Sequence, residues 1–276
     1  MKLPTFPGGI HPPDNKATTA TRAIVNCPLP NELIVPMQQH IGAPAECCVT
    51  VGQQVAKGEQ IGAAVGPVSV PIHAPTSGEV IAIEPRLHPV GRSLPAVVIR
   101  ADGADRWHEG LAENNPDNLN PDELRQLLQQ AGIVGLGGAT FPTHIKLSPP
   151  VDRPISTLII NGVECEPYLT GDHRLMLEAG PTIVDGILIL RKILAVDRVI
   201  LAIENNKPDA IDAMRKLCSD TPIKVQPLPV KYPQGAEKQL IEAITGRQVP
   251  SGRLPMDCGA VVQNVGTAAA VSTAVR

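Results

Sequence analysis

Residues 157–161, TLIIN, and residues 198–204, RVILAIE, are short apolar runs typical of buried strands. Helical and strand patterns alternate around them. We expect a third strand at Ile223 to Val230, and helices at His173 to Leu194, Lys207 to Ser219 and Gly235 to Thr245. This alternation predicts an α/β fold, a Rossmann-like parallel sheet covered by helices. Ligands of such sheets bind beyond the carboxyl ends of the strands, near a topological switch point.

The first strand continues into NGVECEPYLTGDHR, which places Asn161, Glu164 and Glu166 close to the strand end. Carboxylates in this position would repel a phosphate, but they suit hydroxyl and amide groups. A ribityl chain, a ribose or a nicotinamide carboxamide would fit such a site. The alternative is that the acidic side chains only favour the N-terminus of the helix ahead.

Two later loops carry further polar groups toward the same edge of the predicted sheet. The segment KYPQGAEKQL contains Tyr232, Gly235 and Glu237, and the segment VVQNVGTAA contains Asn264 and Thr267. Each loop is ordinary by itself. Together with a fourth, glycine-rich loop, they predict one slot for a planar cofactor.

The glycine-rich loop, residues 135–146, has the sequence GLGGATFPTHIK and follows a helix that Asn120 and Glu123 mark with a capping box. Three of its residues, Gly135, Gly137 and Gly138, have no side chain. Their amide N–H groups can approach an anion or a carbonyl-rich ring, and Lys146 supplies a nearby charge. The loop matches neither the dinucleotide fingerprint nor the P-loop, so a plain turn is the alternative interpretation.

The amino-terminal part has a different texture. The first forty residues are proline-rich and predict an extended arm, and residues 41–83 contain short β runs punctuated by glycine. This stretch resembles the barrel-sandwich fold of biotinyl and lipoyl carriers, but its tip, AVGPVSVPIHA, has no lysine to modify. We therefore expect a structural or docking barrel in a domain of residues 1–110, and the α/β domain at residues 111–276.

Composition excludes several function classes. The chain has 24 Lys and Arg against 27 Asp and Glu, a net charge of -3. It therefore has no excess of positive charge with which to bind nucleic acid or an anionic membrane. No apolar leader precedes Pro4, and charged residues interrupt the most apolar helical pattern, so we expect neither secretion nor membrane insertion. The six cysteines show no C-x-x-C spacing, which predicts a reducing compartment and no local metal site.

The ordered motifs GLGGATFPTHIK, NGVECEP, YPQGAEKQL and QNVGTA resemble the NADH-oxidising 51 kDa chain of respiratory complex I. The segments GGIHPP, IHAPTSG, VECEPYLTGDHRLM, IENNKP and QVPSGR resemble more closely the C subunits of Rnf/Rsx electron-transport complexes. This second resemblance covers essentially the whole chain.

The resemblance implies non-covalently bound FMN and a site for NADH. The residues it implies for FMN are Gly135, Gly137, Gly138, Lys146, Asn161, Glu164, Tyr232, Gly235, Asn264 and Thr267. Those it implies for NADH are Phe141, Glu166 and Glu237. Complex I relatives have glycine where this chain has Thr140, an acidic residue in place of Val163 and glutamate in place of Ala236.

The implied function is that of an NADH-oxidising, flavin-dependent oxidoreductase subunit in a membrane-associated, ion-translocating NADH:ferredoxin-type complex. Hydride would pass from NADH to FMN and electrons onward to iron–sulfur centres, with no side chain required as a general base. The resemblance implies a peripheral position at the cytoplasmic face of a bacterial inner membrane, with the other Rnf/Rsx subunits as partners.

Relatives continue into a segment whose cysteines hold two [4Fe–4S] clusters, and this chain has none of those cysteines. We therefore expect an amino-terminal fragment or a shortened subunit. The alternative function is a non-catalytic docking or scaffold module of the same complex.

Overall fold

A computed structural model describes residues 3–276, which form two compact units. One, the α/β unit, contains residues 3–25, 119–124 and 146–274; the other, the barrel unit, contains residues 26–118, 125–145 and 275–276. Residues 3–25 of the arm thus group with the α/β unit, and residues 26–40 group with the barrel, whereas the sequence prediction grouped the whole arm with the barrel. Residues 1 and 2, on which the expected absence of a leader partly rests, lie outside the described residues.

The barrel unit is built from antiparallel strands. These are β1 (Glu32–Pro36), β2 (Glu46–Cys47), β3 (Gln54–Val55), β4 (Gln60–Ala63), β5 (Ile72–His73), β6 (Gly78–His88) and β7 (Arg92–Ala101). One sheet has the order β1-β7-β6-β3 and the other the order β2-β4-β5. Val35, Ile61, Val80 and Val97 pack in a common buried core. The expected barrel-sandwich-like β domain is confirmed.

Two helices follow, α1 (Pro121–Gln130) and the short α2 (Thr143–Lys146). Asn120 Oδ1 accepts hydrogen bonds from the amides of Asp122 (2.9 Å) and Glu123 (3.1 Å). Glu123 Oε2 accepts the amide N–H of Asn120 at 2.7 Å. The predicted capping box is confirmed, and it fixes where α1 begins.

The α/β unit contains a four-stranded parallel sheet. Its elements are β8 (Thr157–Gly162), α3 (Gly171–Glu178), α4 (Gly180–Leu194), β9 (Arg198–Glu204), α5 (Pro208–Leu217), β10 (Ile223–Leu228), α6 (Glu237–Thr245), β11 (Ala260–Asn264) and α7 (Val265–Val275). The strand order is β10-β9-β8-β11. The expected α/β fold is confirmed, and β11 and α7 extend the predicted alternation by one strand and one helix.

The long helix expected from His173 to Leu194 is wrong in one respect, because it is divided into α3 and α4. Ala179 leaves the helical region, with φ −127° and ψ 28°. Pro181 has no N–H to continue the ladder of the preceding helix, and its ring favours the first turn of a new one. The Gly180-Pro181 pair therefore ends one helix and begins the next.

Within residues 3–276, no helix is long and apolar enough to cross a bilayer.

Helices α4 and α7 approach each other closely at Gly186. A Cβ on Gly186 would lie 1.8 Å from the carbonyl oxygen of Ala268, a backbone atom that cannot rotate away. One turn further along α7, the Ser272 hydroxyl donates to Asp185 Oδ2 at 2.7 Å. This crossing holds α7, the helix that follows β11, against the rest of the unit.

We expect Gly186→Ala to destabilise the α/β unit by about 2 kcal/mol, because the added methyl group forces the two backbones apart. The matched control is Gly180→Ala in the same helix. Its Cβ would lie 2.5 Å from the tip of Leu217, a side chain that is 37% exposed and can move, and in ordinary contact, at 3.5 Å, with Met214 Sδ. Urea unfolding followed by helical circular dichroism measures both, and equal midpoints for the two variants would contradict the expectation.

Candidate functional site

The candidate site lies at the carboxyl ends of the parallel strands. After β8 the chain adds β9 and then β10 on one side of it. The chain then returns to place β11 on the other side of β8. The switch point is therefore the gap between β8 and β11, the place where such sheets bind ligands. Asn161 and Asn264, two residues that the sequence singled out, are paired in register there.

The two asparagines join the loops around them. Asn161 donates from Nδ2 to the carbonyl oxygen of Gly235 (2.9 Å), and its Oδ1 accepts the amide of Val163 (3.1 Å). Asn264 donates from Nδ2 to the carbonyl oxygen of Asn161 at 3.4 Å. Asn264 Oδ1 accepts the amides of Gly266 (2.8 Å) and Thr267 (3.4 Å), so it also caps α7. The structure thus brings Asn161, Gly235 and Asn264 into one hydrogen-bonded group.

Glu164 binds the start of the next helix. Its Oε1 accepts the amide of Asp172 (2.8 Å) and its Oε2 the amide of His173 (3.3 Å), at the N-terminus of α3. This is the alternative that the sequence left open, a carboxylate favoured by a helix N-terminus. The implied contact of Glu164 with FMN stays a prediction.

Asp172 belongs to this group, although the sequence did not single it out. Asn264 Nδ2 donates to Asp172 Oδ2 at 2.6 Å. Burial, reinforced by the neighbouring Glu164 carboxylate, raises the pKa of Asp172 to about 6. The available signal was its position in TGDHR, an acid in the first turn of a helix after the strand-end motif.

Lys146 and Glu237 pair with each other. Lys146 Nζ lies 2.8 Å from Glu237 Oε1, and the two side chains are 25% and 40% exposed. The resemblance assigned these residues to different ligands, Lys146 to FMN and Glu237 to NADH. Because both side chains retain exposed surface, a ligand can reach either of them.

The loop after β10 carries Tyr232 and Gly235. Tyr232 forms an isolated antiparallel bridge with Ile10 of the arm. The amide of Gly235 donates to Cys165 Sγ at 3.3 Å, and a Cβ on Gly235 would lie 3.3 Å from that sulfur. Burial raises the pKa of the Cys165 thiol to about 11, so the thiol is neutral at physiological pH. Close packing within the unit therefore accounts for the glycine at position 235.

The remaining predicted residues of the α/β unit differ in exposure. Glu166 is exposed, whereas Thr267 has no exposed surface. Both implied roles stay predictions, and Thr267 is the less accessible of the two.

Residues 135–145 of the glycine-rich loop belong to the barrel unit. The loop is closed by hydrogen bonds from the Gly135 amide to the Phe141 carbonyl (2.9 Å) and from the Thr143 amide to the Ile133 carbonyl (3.0 Å). Its tip, residues 136–139, is exposed. Thr140 adopts φ 49°, a left-handed conformation that favours glycine, the residue found there in complex I relatives.

Packing does not require glycine at positions 135 and 138, although Gly138 adopts φ 153°, a backbone conformation that residues with a Cβ rarely adopt. A Cβ on Gly138 would meet nothing within 4 Å, and one on Gly135 would come no closer than 3.7 Å to any neighbour. This contrasts with Gly235. The bare backbone leaves room for a group from outside the chain.

Gly135, Gly137, Gly138 and Phe141 thus lie in one unit. The other predicted residues, Lys146, Asn161, Glu164, Glu166, Tyr232, Gly235, Glu237, Asn264 and Thr267, lie in the α/β unit. Their common contact with one cofactor remains a prediction.

We expect Asp172→Asn to change how stability depends on pH. The folded carboxyl holds its proton more tightly than the unfolded one, so it favours folding below about pH 4 and this contribution is lost as the pH rises through about 6. The variant should be about 3 kcal/mol more stable than the parent at pH 8 and equal to it at pH 3.5. Urea unfolding across this range measures the difference.

The control for Asp172→Asn is Glu113→Gln, which neutralises an exposed carboxylate outside this group. Parallel pH profiles for Asp172→Asn and the parent protein would contradict a raised pKa at Asp172.

Two family models match this chain. Residues 128–273 match the Nuo51 FMN-binding domain, and residues 4–104 match the RnfC barrel sandwich hybrid domain. The second match agrees with the observed barrel unit.

Curated relatives match over nearly the whole chain. The C subunit of a proton-translocating ferredoxin:NAD(+) oxidoreductase complex from Clostridium ljungdahlii is 49% identical over 99% of this chain and 60% of its own length. The C subunit of a Na(+)-translocating ferredoxin:NAD(+) oxidoreductase complex from Acetobacterium woodii is 46% identical over 99% and 62%. The C subunit of an ion-translocating oxidoreductase complex from Vibrio cholerae is 44% identical over 99% and 36%.

The chain thus spans between about a third and three fifths of the length of these relatives. Among solved structures, an NAD+-reducing [NiFe]-hydrogenase matches 56% of this chain and 30% of its own, with 28% identity and a TM-score of 0.49. The resemblance to Rnf C subunits is confirmed by the relatives and by the amino-terminal match. The match over residues 128–273, more than half of the chain, shows that this protein belongs to the family of the Nuo51 FMN-binding domain.

Proposed function

We propose that this chain is the flavin-binding part of the C subunit of an ion-translocating ferredoxin:NAD oxidoreductase complex. In this role it binds FMN and NADH, accepts reducing equivalents from NADH and delivers electrons toward iron–sulfur centres. The supporting observation is the hydrogen-bonded group of Asn161, Gly235 and Asn264 at the switch point of the sheet. The names of the relatives support the partners, which are the other subunits of such a complex. We place the chain peripherally, at the cytoplasmic face of a bacterial inner membrane, as part of the same proposal.

The donor set of the α/β unit fits a flavin better than a nucleoside triphosphate. Amides, carboxylates and a phenol surround the strand ends, and the ammonium of Lys146 is already paired with Glu237. Such groups bind ribityl hydroxyls and the polar edge of an isoalloxazine, and they repel a cluster of phosphates. The unfilled space at Gly135 and Gly138 suits a flat ring lying on the backbone.

When bound, FMN supplies the hydride-accepting chemistry, so the protein contributes binding, orientation and charge. We assign Gly135, Gly137, Gly138 and Lys146 to the flavin, together with the rim residues Asn161, Glu164, Tyr232, Gly235, Asn264 and Thr267. We assign Phe141, Glu166 and Glu237 to the nicotinamide nucleotide. The hydrogen bonds of Asn161 and Asn264 to backbone groups keep the rim in one conformation before a ligand arrives.

Titration of the purified protein with FMN tests the proposal. We expect quenching of flavin fluorescence on binding, followed by bleaching of the flavin spectrum when NADH is added without oxygen. We expect Gly135→Ala to raise the Kd for FMN about tenfold or more, because the methyl group occupies the space left for the ring. The midpoint of urea unfolding of Gly135→Ala should equal that of the parent, since no atom would lie closer than 3.7 Å to the added methyl group.

The control for Gly135→Ala is Ala112→Val, which adds bulk at an exposed position of the same unit outside the loop. A protein that stays colourless with FMN and indifferent to NADH would overturn the proposal in favour of a docking module. An unchanged FMN affinity in Gly135→Ala would remove the glycine-rich loop from the site.

We expect Glu166→Gln to weaken reduction by NADH more than retention of FMN, because we assign this exposed carboxylate to the nucleotide. Stopped-flow reduction measures the first effect and fluorescence titration the second, with Glu109→Gln as an exposed control in the barrel unit. Equal losses of both would argue against the division of roles between flavin and nucleotide residues.

A further inference from the structure

The proline-rich arm lies against the loops that follow β8 and β10. Ile10 and Tyr232 exchange both backbone hydrogen bonds at 2.8 Å. The amide of Tyr168 donates to the carbonyl oxygen of Asp14 at 2.8 Å. All of these residues belong to the α/β unit. The arm is therefore a component of the edge of the sheet where the candidate site lies.

Lys16 is the buried charge of this arm, with 7% of its surface exposed. Its Nζ donates to the carbonyl oxygens of Glu164 (3.0 Å), Glu166 (2.9 Å) and Leu169. An ammonium group has three N–H donors, so each of them has a backbone partner here. A buried charge is stable only when it is satisfied in this way.

A second buried lysine holds the start of the same loop from the sheet side. Lys207 is 1% exposed, and its Nζ donates to the carbonyl oxygen of Val163 at 2.8 Å. It also contacts Asn206 Oδ1 (3.0 Å) and Glu204 Oε2 (3.3 Å). Four carbonyl groups of residues 163–169 thus bind two buried ammonium groups. We call residues 163–169 the clamped loop.

The clamped loop has a backbone that does not hold its shape by itself. Glu164 and Tyr168 adopt φ values of 51° and 71°, which are unfavourable for residues with a Cβ. Such conformations persist where surrounding contacts over-determine them. Lys207 binds only the first residue of the loop, so Lys16 is the buried cation that holds the part carrying Glu166.

We propose that Lys16 is a positioning residue: its ammonium holds the clamped loop in the shape that presents the Glu166 side chain to the nicotinamide nucleotide. This inference rests on the proposed function, because Glu166 is assigned to the nucleotide there. The carbonyl of Glu166 is bound inside by Lys16, while its side chain is exposed. The arm thereby contributes to a nucleotide site without touching the nucleotide.

The test compares Lys16→Met with Arg22→Met, which removes an exposed cation from the same arm without touching the clamped loop. Without any ligand, amide hydrogen exchange in the clamped loop, with Tyr168 as reporter, should be about tenfold faster in Lys16→Met. In flavin-loaded protein, the Kd and KM for NADH should rise about tenfold, with kcat and the Kd for FMN within about twofold. Arg22→Met should match the parent in each measurement.

Lys16→Gln is a second, milder variant in case Lys16→Met does not fold. The glutamine amide keeps two N–H donors, whereas the lysine ammonium has three. Intermediate exchange and intermediate NADH affinity in Lys16→Gln support the proposal. Unchanged exchange in both Lys16 variants overturns the clamp. Faster exchange with unchanged NADH affinity overturns the positioning role.

Failure of the parent protein to bind FMN would overturn the proposed function, and the positioning role with it. That result is distinguishable from failure of the clamp, because hydrogen exchange needs no cofactor.

Discussion

The pairing of Asn161 with Asn264 is the constraint on which the site depends. Asn264 is the last residue of β11 and pairs in register with Asn161, the penultimate residue of β8. Their side chains bind the backbone of the loop after β10 and the first turn of α7. Polar groups near the end of a buried strand need partners, and these amides find them in the elements that form the rim. The same bonds that satisfy the strand ends therefore fix the shape of the candidate binding surface.

Much of the fold could be predicted because the signals were local. The apolar runs at 157–161 and 198–204 are strands, and the capping box at Asn120 begins a helix. The division of the helix at Gly180-Pro181 was also encoded locally, but the apolar period continued through it. β11 was harder to predict, since a short apolar run beside a small-residue helix has no distinctive period.

The identities of candidate site residues could be predicted, but their contacts could not. Sequence motifs pointed to Lys146, Glu164 and Glu237. The Lys146–Glu237 pair joins residues 91 positions apart in the chain, and the binding of Glu164 to α3 depends on the conformation of the loop after β8. Lys16 had no local signal at all. Its partners lie about 150 residues further along the chain, and only the three-dimensional structure brings them together.

The division of the α/β unit along the chain has a consequence for its biosynthesis. Residues 3–25 leave the ribosome before residues 26–118 and 125–145 of the barrel unit, and the loop that Lys16 holds is translated only after all of these. At typical bacterial elongation rates this delay is roughly 10 to 30 s. Lys16 therefore emerges before its backbone partners in residues 163–169 are synthesised, so the arm can join the edge of the sheet only after the intervening barrel residues have been translated.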